Sequence, residues 1–217
     1  MKITPLKVNL LSQKIIANAS PEYIKATGMP EGHRSAAFLS VDVDDAAYLA
    51  LDFATKNANI QVVRAETYYG GQMASWSKYG GSVYAMFSGA TVQDVRSGLA
   101  YVNDFIANKT EFYCFDNDPG TAFYAHTIAR SGKFFETFCN IKEGSSYAYL
   151  VGGPIETNYA IDQALKAGHT TIARYWAPPS RANSSGAVLT GTEAACTAAT
   201  KAFIYALGEC IAAPLVP

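Results

Sequence analysis

Short apolar runs bounded by turn residues alternate along this chain with apolar stripes at helical spacing. Residues 36–43 and Ser146–Gly152 are runs of the first kind and predict buried strands. Over residues 92–107, Val92, Val95, Leu99, Val102 and Ile106 recur three and four apart, one apolar stripe of a helix. Further helices are expected over 46–57, over 157–167 with Gly168 as the C-cap, and over 194–211. Strands are expected over 10–20, 60–64, 83–87, 123–131, 171–174 and 187–189, with short helices at Pro21–Thr27 and Lys133–Cys139. Strands joined partly by helices and partly directly predict an α+β fold, with antiparallel sheet on one side and flanking helices on the other.

The pattern occurs twice. Ala50-Leu51-Asp52 matches Ala160-Ile161-Asp162, and in the same frame Ala54, Lys56 and Arg64 match Ala164, Lys166 and Arg174. Upstream, Ile16-Ala17 matches Ile128-Ala129, Tyr23 matches Phe135, and Glu31-Gly32 matches Glu143-Gly144. Downstream, Ser88-Gly89 meets Thr190-Gly191 and Tyr101-Val102 meets Phe203-Ile204. The order is preserved and the drift falls in loops, so two homologous domains are expected, residues 1–109 and 110–217, divided at the polar stretch Asn108-Lys109-Thr110-Glu111. Two long loops hold equivalent places in the halves, 68–82 and 176–186. Their length, their glycines and the indoles of Trp76 and Trp176 mark them as functional.

Composition narrows the function. The 217 residues carry 17 Lys+Arg and 18 Asp+Glu, a net charge of -1, which argues against a nucleic-acid binder, whose affinity comes largely from a basic face. Charged residues make up 16% of the chain and apolar ones 49%, so the surface is sparsely charged, as it is where subunits cover one another. With 11 Phe and 14 Tyr the chain is no disordered polymer. The longest uncharged stretch, 79–93, is too short and too glycine-rich to span a bilayer, and residues 1–7 lack the apolar run of a signal peptide, so a cytosolic protein is expected. Cys114, Cys139, Cys196 and Cys210 form no paired motif and are expected as buried thiols.

Catalytic chemistry is mostly missing. His33, His126 and His169 have no partner at metal spacing, and neither a nucleophile elbow nor a phosphate-binding loop is present. The sharpest signal is Asp42-Val43-Asp44-Asp45 after the apolar run. Acids at a strand end suit a Mg²⁺-dependent hydrolase or phosphotransferase that would use Asp42 and Asp44, although the supporting Thr, Lys and second acidic pair are absent. The plainer reading makes Asp44 or Asp45 the N-cap of the helix that follows near Ala46. The second half carries Gly152-Gly153-Pro154-Ile155 at that place, so the acidic cluster occurs once per chain and points to a local function.

Duplication, glycine-rich loops and sparse charge together resemble the bacterial microcompartment shell proteins, specifically the ethanolamine-utilisation L-type family with its two circularly permuted microcompartment domains. The resemblance runs through Ser-x-Asp-x-Asp-Asp from Ser40 to Asp-x-Ala-Thr-Lys ending at Lys56, Thr-Ala-Phe-x-Ala-His from Thr121, Arg130-Ser131-Gly132, Ala148 to Val151, and Leu-Thr-Gly-Thr-x-Ala-Ala-Cys ending at Cys196. It implies a catalytically inert homotrimer shaped as a pseudohexameric disc, tiling laterally with other shell proteins into a microcompartment shell within the cytosol. It also implies a gated central pore, which falls here on Tyr68, Tyr69, Gly70, Gly71, Trp76, Tyr79, Trp176, Pro178, Pro179 and Arg181. A smaller acidic pore that binds ethanolamine falls on Asp44, Asp45, Phe112 and Asn183, with Arg181 adding a positive charge nearby. Cobalamin and zinc enter as regulatory ligands by family association alone. Ethanolamine is a cation near neutral pH, so adjacent carboxylates would concentrate it and give a neutral aldehyde no such preference. A small-molecule sensor, cobalamin-binding or otherwise, is a third reading beside the shell protein and the hydrolase.

Overall fold

The computed structural model describes residues 1–68, 82–142, 144–178 and 180–215. Its elements in chain order are β1(Ile3–Leu6), β2(Leu10–Ile16), α1(Pro21–Thr27), β3(Ser35–Val41), α2(Asp44–Asn57), β4(Gln61–Tyr68), β5(Ser82–Gly89) and α3(Val92–Asn108). They continue as β6(Phe112–Phe115), β7(Asp118–Ile128), α4(Lys133–Cys139), β8(Ser146–Gly152), α5(Glu156–Gly168), β9(Thr171–Trp176), β10(Ser185–Gly191) and α6(Glu193–Ala212). The chain divides into two compact units.

One unit holds Val8–Thr110 together with Gly132–Phe134. Its sheet runs β2-β3-β5-β4, every pair antiparallel. Helix α3 lays the predicted stripe against this sheet: Val95, Leu99, Val102 and Ile106 are buried, and Gly98 lets the helix come so close that a Cβ there would stand 2.8 Å from the ring of Phe87. Thr91 and Asp94 start that helix with a reciprocal capping box, each side chain accepting from the other's backbone N–H. Ser20 caps α1 through the N–H of Tyr23, Pro21 fills the first turn, and Gly28 closes it at φ 70°.

The other unit holds Met1–Lys7, Glu111–Ser131 and the residues from Phe135 onward. Its sheet runs β1-β6-β7-β8-β10-β9, so β7-β8-β10-β9 repeats the strand order of the first sheet. Phe123, Leu150, Leu189, Phe203 and Leu207 centre its core between sheet and helices α5 and α6. Strands β1 and β6 were not expected. They pair antiparallel from Ile3 with Phe115 to Leu6 with Phe112, and Pro5 is tolerated because β1 is an edge strand.

Several local expectations need correction. Helix α2 begins at Asp44, so Asp44 and Asp45 occupy its first turn; the N-cap is Val43, which offers no side-chain bond. Gly168 is the last residue of α5 and not its cap. The left-handed position falls on His169 at φ 50°, and Gly168 is needed for contact instead, since a Cβ there would meet the carbonyl oxygen of Ala195 at 2.6 Å. The strand expected over 10–20 stops at Ile16, where Ala19 turns to bond the carbonyl of Arg34. Cys114, Cys139 and Cys196 are buried free thiols, while Cys210 is half-buried.

Candidate functional site

The acidic turn after β3 separates into parts with different jobs. Asp42 is structural: its two carboxylate oxygens accept from the backbone N–H and the side-chain amide of Asn9, each at 2.8 Å. Asp42 also donates its own N–H to the carbonyl of Asn9. This clasp fixes the strand end, and it occupies the carboxylate that a Mg²⁺-dependent hydrolase would have needed.

Asp44 and Asp45 follow at the start of α2, where the free N–H groups and dipole of the first turn favour negative charge. Both are nevertheless buried, at 5% and 8% exposure. The Thr67 hydroxyl on β4 donates to Oδ2 of Asp44 at 2.5 Å, and Thr67 Oγ1 itself lies 2.6 Å from the phenol of Tyr48, one helical turn beyond Asp44. With its single proton directed at Asp44, Thr67 accepts from Tyr48, giving a three-member chain that ends on the carboxylate. Burial pushes the Asp44 carboxyl up to about 6, against the opposing pull of Thr67 and of backbone N–H groups. Burial, reinforced by the negative charge of Asp44, also drives the Tyr48 phenol well above its usual range. The arrangement is a carboxylate short of solvation, and a cation that reached it would restore what burial removes. Thr67 and Tyr48 were missed from the sequence. Tyr48 could have been found by its spacing from Asp44, whereas Thr67 becomes a neighbour only through the fold.

Phe112 and Asn183 belong to the other unit. Phe112 is buried in β6 with its ring 6.0 Å from that of Tyr124. Asn183 is exposed at φ 57°, a left-handed position that Asn tolerates, in the turn between β9 and β10. That turn is organised by Ser180, whose N–H donates to the carbonyl of Ser184 at 2.8 Å and whose Oγ accepts from the N–H groups of Ala182 and Ser184. Pro178 and Arg181 are exposed on it. Trp176 closes β9, its indole 5.5 Å from Tyr149 and 6.1 Å from Phe138, with the Arg174 guanidinium 5.3 Å from its ring. Tyr68 ends β4 opposite Ser82, its phenol 3.4 Å from Ser40 Oγ. Tyr69, Gly70, Gly71, Trp76, Tyr79 and Pro179 lie outside the described residues.

Among the described residues no three His, Cys, Asp or Glu side chains assemble as a metal site. No helix there is long and apolar enough to cross a membrane.

No family model matches the chain. It is 39% identical over 215 residues to the bacterial microcompartment shell protein EutL of Clostridium perfringens, covering 99% of both chains. The crystal structure of ethanolamine utilization protein EutL from Leptotrichia buccalis superposes with a TM-score of 0.93 at 40% identity, over the whole of both chains. The trimeric bacterial microcompartment shell protein PduB shares the fold at a TM-score of 0.78 and 16% identity, covering 92% of this chain and 88% of its own.

Proposed function

Because the chain belongs to the EutL family of bacterial microcompartment shell proteins, we propose that it serves the ethanolamine-utilisation shell as a homotrimeric, perforated tile. The shell role is structural and the protein is not an enzyme. The two units are read as the tandem domains of that tile, six to a trimer, meeting other shell proteins at the edges. The segments 68–82 and 176–186 are read as the gate of a central opening, with Tyr68, Trp176, Pro178 and Arg181 on its described part.

The start of α2 is read as the acidic lining of a smaller pore that takes ethanolamine. One observation carries this: two adjacent carboxylates share the first turn of α2, one of them held up at about 6 by burial. A small ammonium ion supplies both charge and N–H donors to such a group, while a neutral aldehyde supplies neither. Phe112 and Asn183 join this lining on the resemblance alone. Cobalamin as a regulator of the gate rests on the family resemblance alone.

Light scattering coupled to size-exclusion tests the tile. A mass of three chains is expected, with sheets or hexagonal packing in electron micrographs of concentrated protein. A monomer forming no arrays would overturn it.

A further inference from the structure

The two halves repeat one another but do not bury the same surfaces. Helix α2 is buried around most of its circumference, from Asp44 to Thr55, whereas its counterpart α5 buries one stripe, Thr157, Ala160, Ile161, Ala164 and Gly168. Leu49 is 2% exposed and its counterpart Tyr159 is 49% exposed. The side chain of Asp52 is wholly buried, while that of its counterpart Asp162 is 54% exposed.

What lies on Asp52 is the segment that opens α4. The N–H of Gly132 donates to both carboxylate oxygens of Asp52, at 2.9 and 3.0 Å, and the N–H of Phe134 donates to Thr55 Oγ1 at 3.3 Å. The Phe134 ring stacks on Tyr48, and the Lys56 ammonium stands 3.2 Å from Asp52. Helix α4 repeats α1, so the counterparts of residues 132–134 are Ser20, Pro21 and Glu22, all exposed. The counterpart of the grip is Asp162 with Lys166, 2.5 Å apart and also exposed. A single chain therefore fills one grip, and leaves a second grip and a second segment both facing solvent. One of each per chain is what a head-to-tail, ring-closing contact between identical copies requires.

We propose that Asp162 and Lys166 of one copy receive residues 20–22 of a second copy, repeating between chains the contact that Asp52 and Lys56 make with residues 132–134. This rests on the trimeric reading and names its joint. Local differences set the character of that joint. Leu165 replaces Thr55, so one hydrogen bond of the original is absent. Glu22 replaces Phe134 and sets a carboxylate against the Lys166 ammonium. At Gly132 a Cβ would come within 2.4 Å of the Asp52 carbonyl oxygen, and Ser20 carries that atom, so the copies stand further apart and admit water. The joint is thus more polar and more salt-sensitive than the grip inside the chain.

Charge reversal tests it. Glu22→Lys and Lys166→Glu should each raise the concentration at which the trimer dissociates by about tenfold at low salt, and the double variant should restore it. As an independent measurement, oxidised Ser20→Cys/Asp162→Cys on a Cys210→Ser background should run as a covalent trimer on a denaturing gel, with neither single variant doing so. A wild-type trimer indifferent to both reversals and yielding no cross-link would overturn the joint while leaving the trimeric reading standing. A wild-type monomer would overturn both.

Discussion

The Thr67 hydroxyl donates to the Asp44 carboxylate at 2.5 Å while lying 2.6 Å from the Tyr48 phenol. Of the influences that lower the Asp44 ionisation point against burial, this bond is the largest. Thr67→Val removes it without removing bulk. Carbon-detected NMR titration should then find the Asp44 midpoint about one unit above its wild-type position near 6. A midpoint that does not move would mean that Thr67 leaves the carboxylate's charge to other groups.

Asp44 also makes stability depend on pH. Its folded ionisation point of about 6 lies above the 3.8 of an ordinary Asp, so the folded chain holds that proton more tightly than the unfolded one. The stabilisation from this group is present at low pH and is lost as pH rises from about 4 through 6. Asp44→Asn abolishes the loss. Urea unfolding should show the variant gaining about 1–3 kcal/mol on the wild type between pH 4.5 and pH 7.5, with the gap flat above that range. A gap that closes with rising pH would contradict the sign.

Asp52 is the buried charge on which residues 132–134 hang. Asp52→Ala removes the side-chain acceptor of the buried Gly132 N–H and one partner of the Lys56 ammonium, and should cost about 3 kcal/mol in chemical denaturation. Gly132→Ala drives a methyl into the Asp52 carbonyl oxygen and should destabilise by about 1–3 kcal/mol. The exposed counterpart Asp162→Ala should cost under about 1 kcal/mol in the isolated chain.

Gly168 and His169 reverse the usual roles at a helix end. His169→Gly relaxes a left-handed residue at φ 50° and should raise stability by about 0.5–1 kcal/mol. Gly168→Ala should lower it by about 1–3 kcal/mol, because the added methyl meets the Ala195 carbonyl of α6. Thermal melts of the two variants should therefore move in opposite directions.

How much of this could be read beforehand follows from what each feature depends on. Pro21–Thr27 and Lys133–Cys139 were legible to the residue. In α1 the reasons are local: a Ser cap, Pro in the first turn and Gly at the end. The repeat was legible because hydrophobic periodicity survives divergence, and it reappears as one strand order in both sheets. Strand β1 was hidden by Pro5, which marks a strand only once an edge is available for it. Gly168 looked like a cap because the approach of α6 leaves no trace near it in sequence. The acidic turn was visible as a cluster, but its division was not. Asn9 claims Asp42, while Thr67 claims Asp44 and Tyr48 reaches it through Thr67, and of these residues only Tyr48 is near in the chain.

Calorimetric titration of ethanolamine, at low salt and pH 7.5, into wild-type protein and Asp44→Asn/Asp45→Asn bears most directly on the reading of α2 as an amine-binding lining. The wild type should bind, less tightly as pH falls below about 6, and the double variant should lose at least about tenfold in affinity. Equal affinity in the two proteins would contradict it.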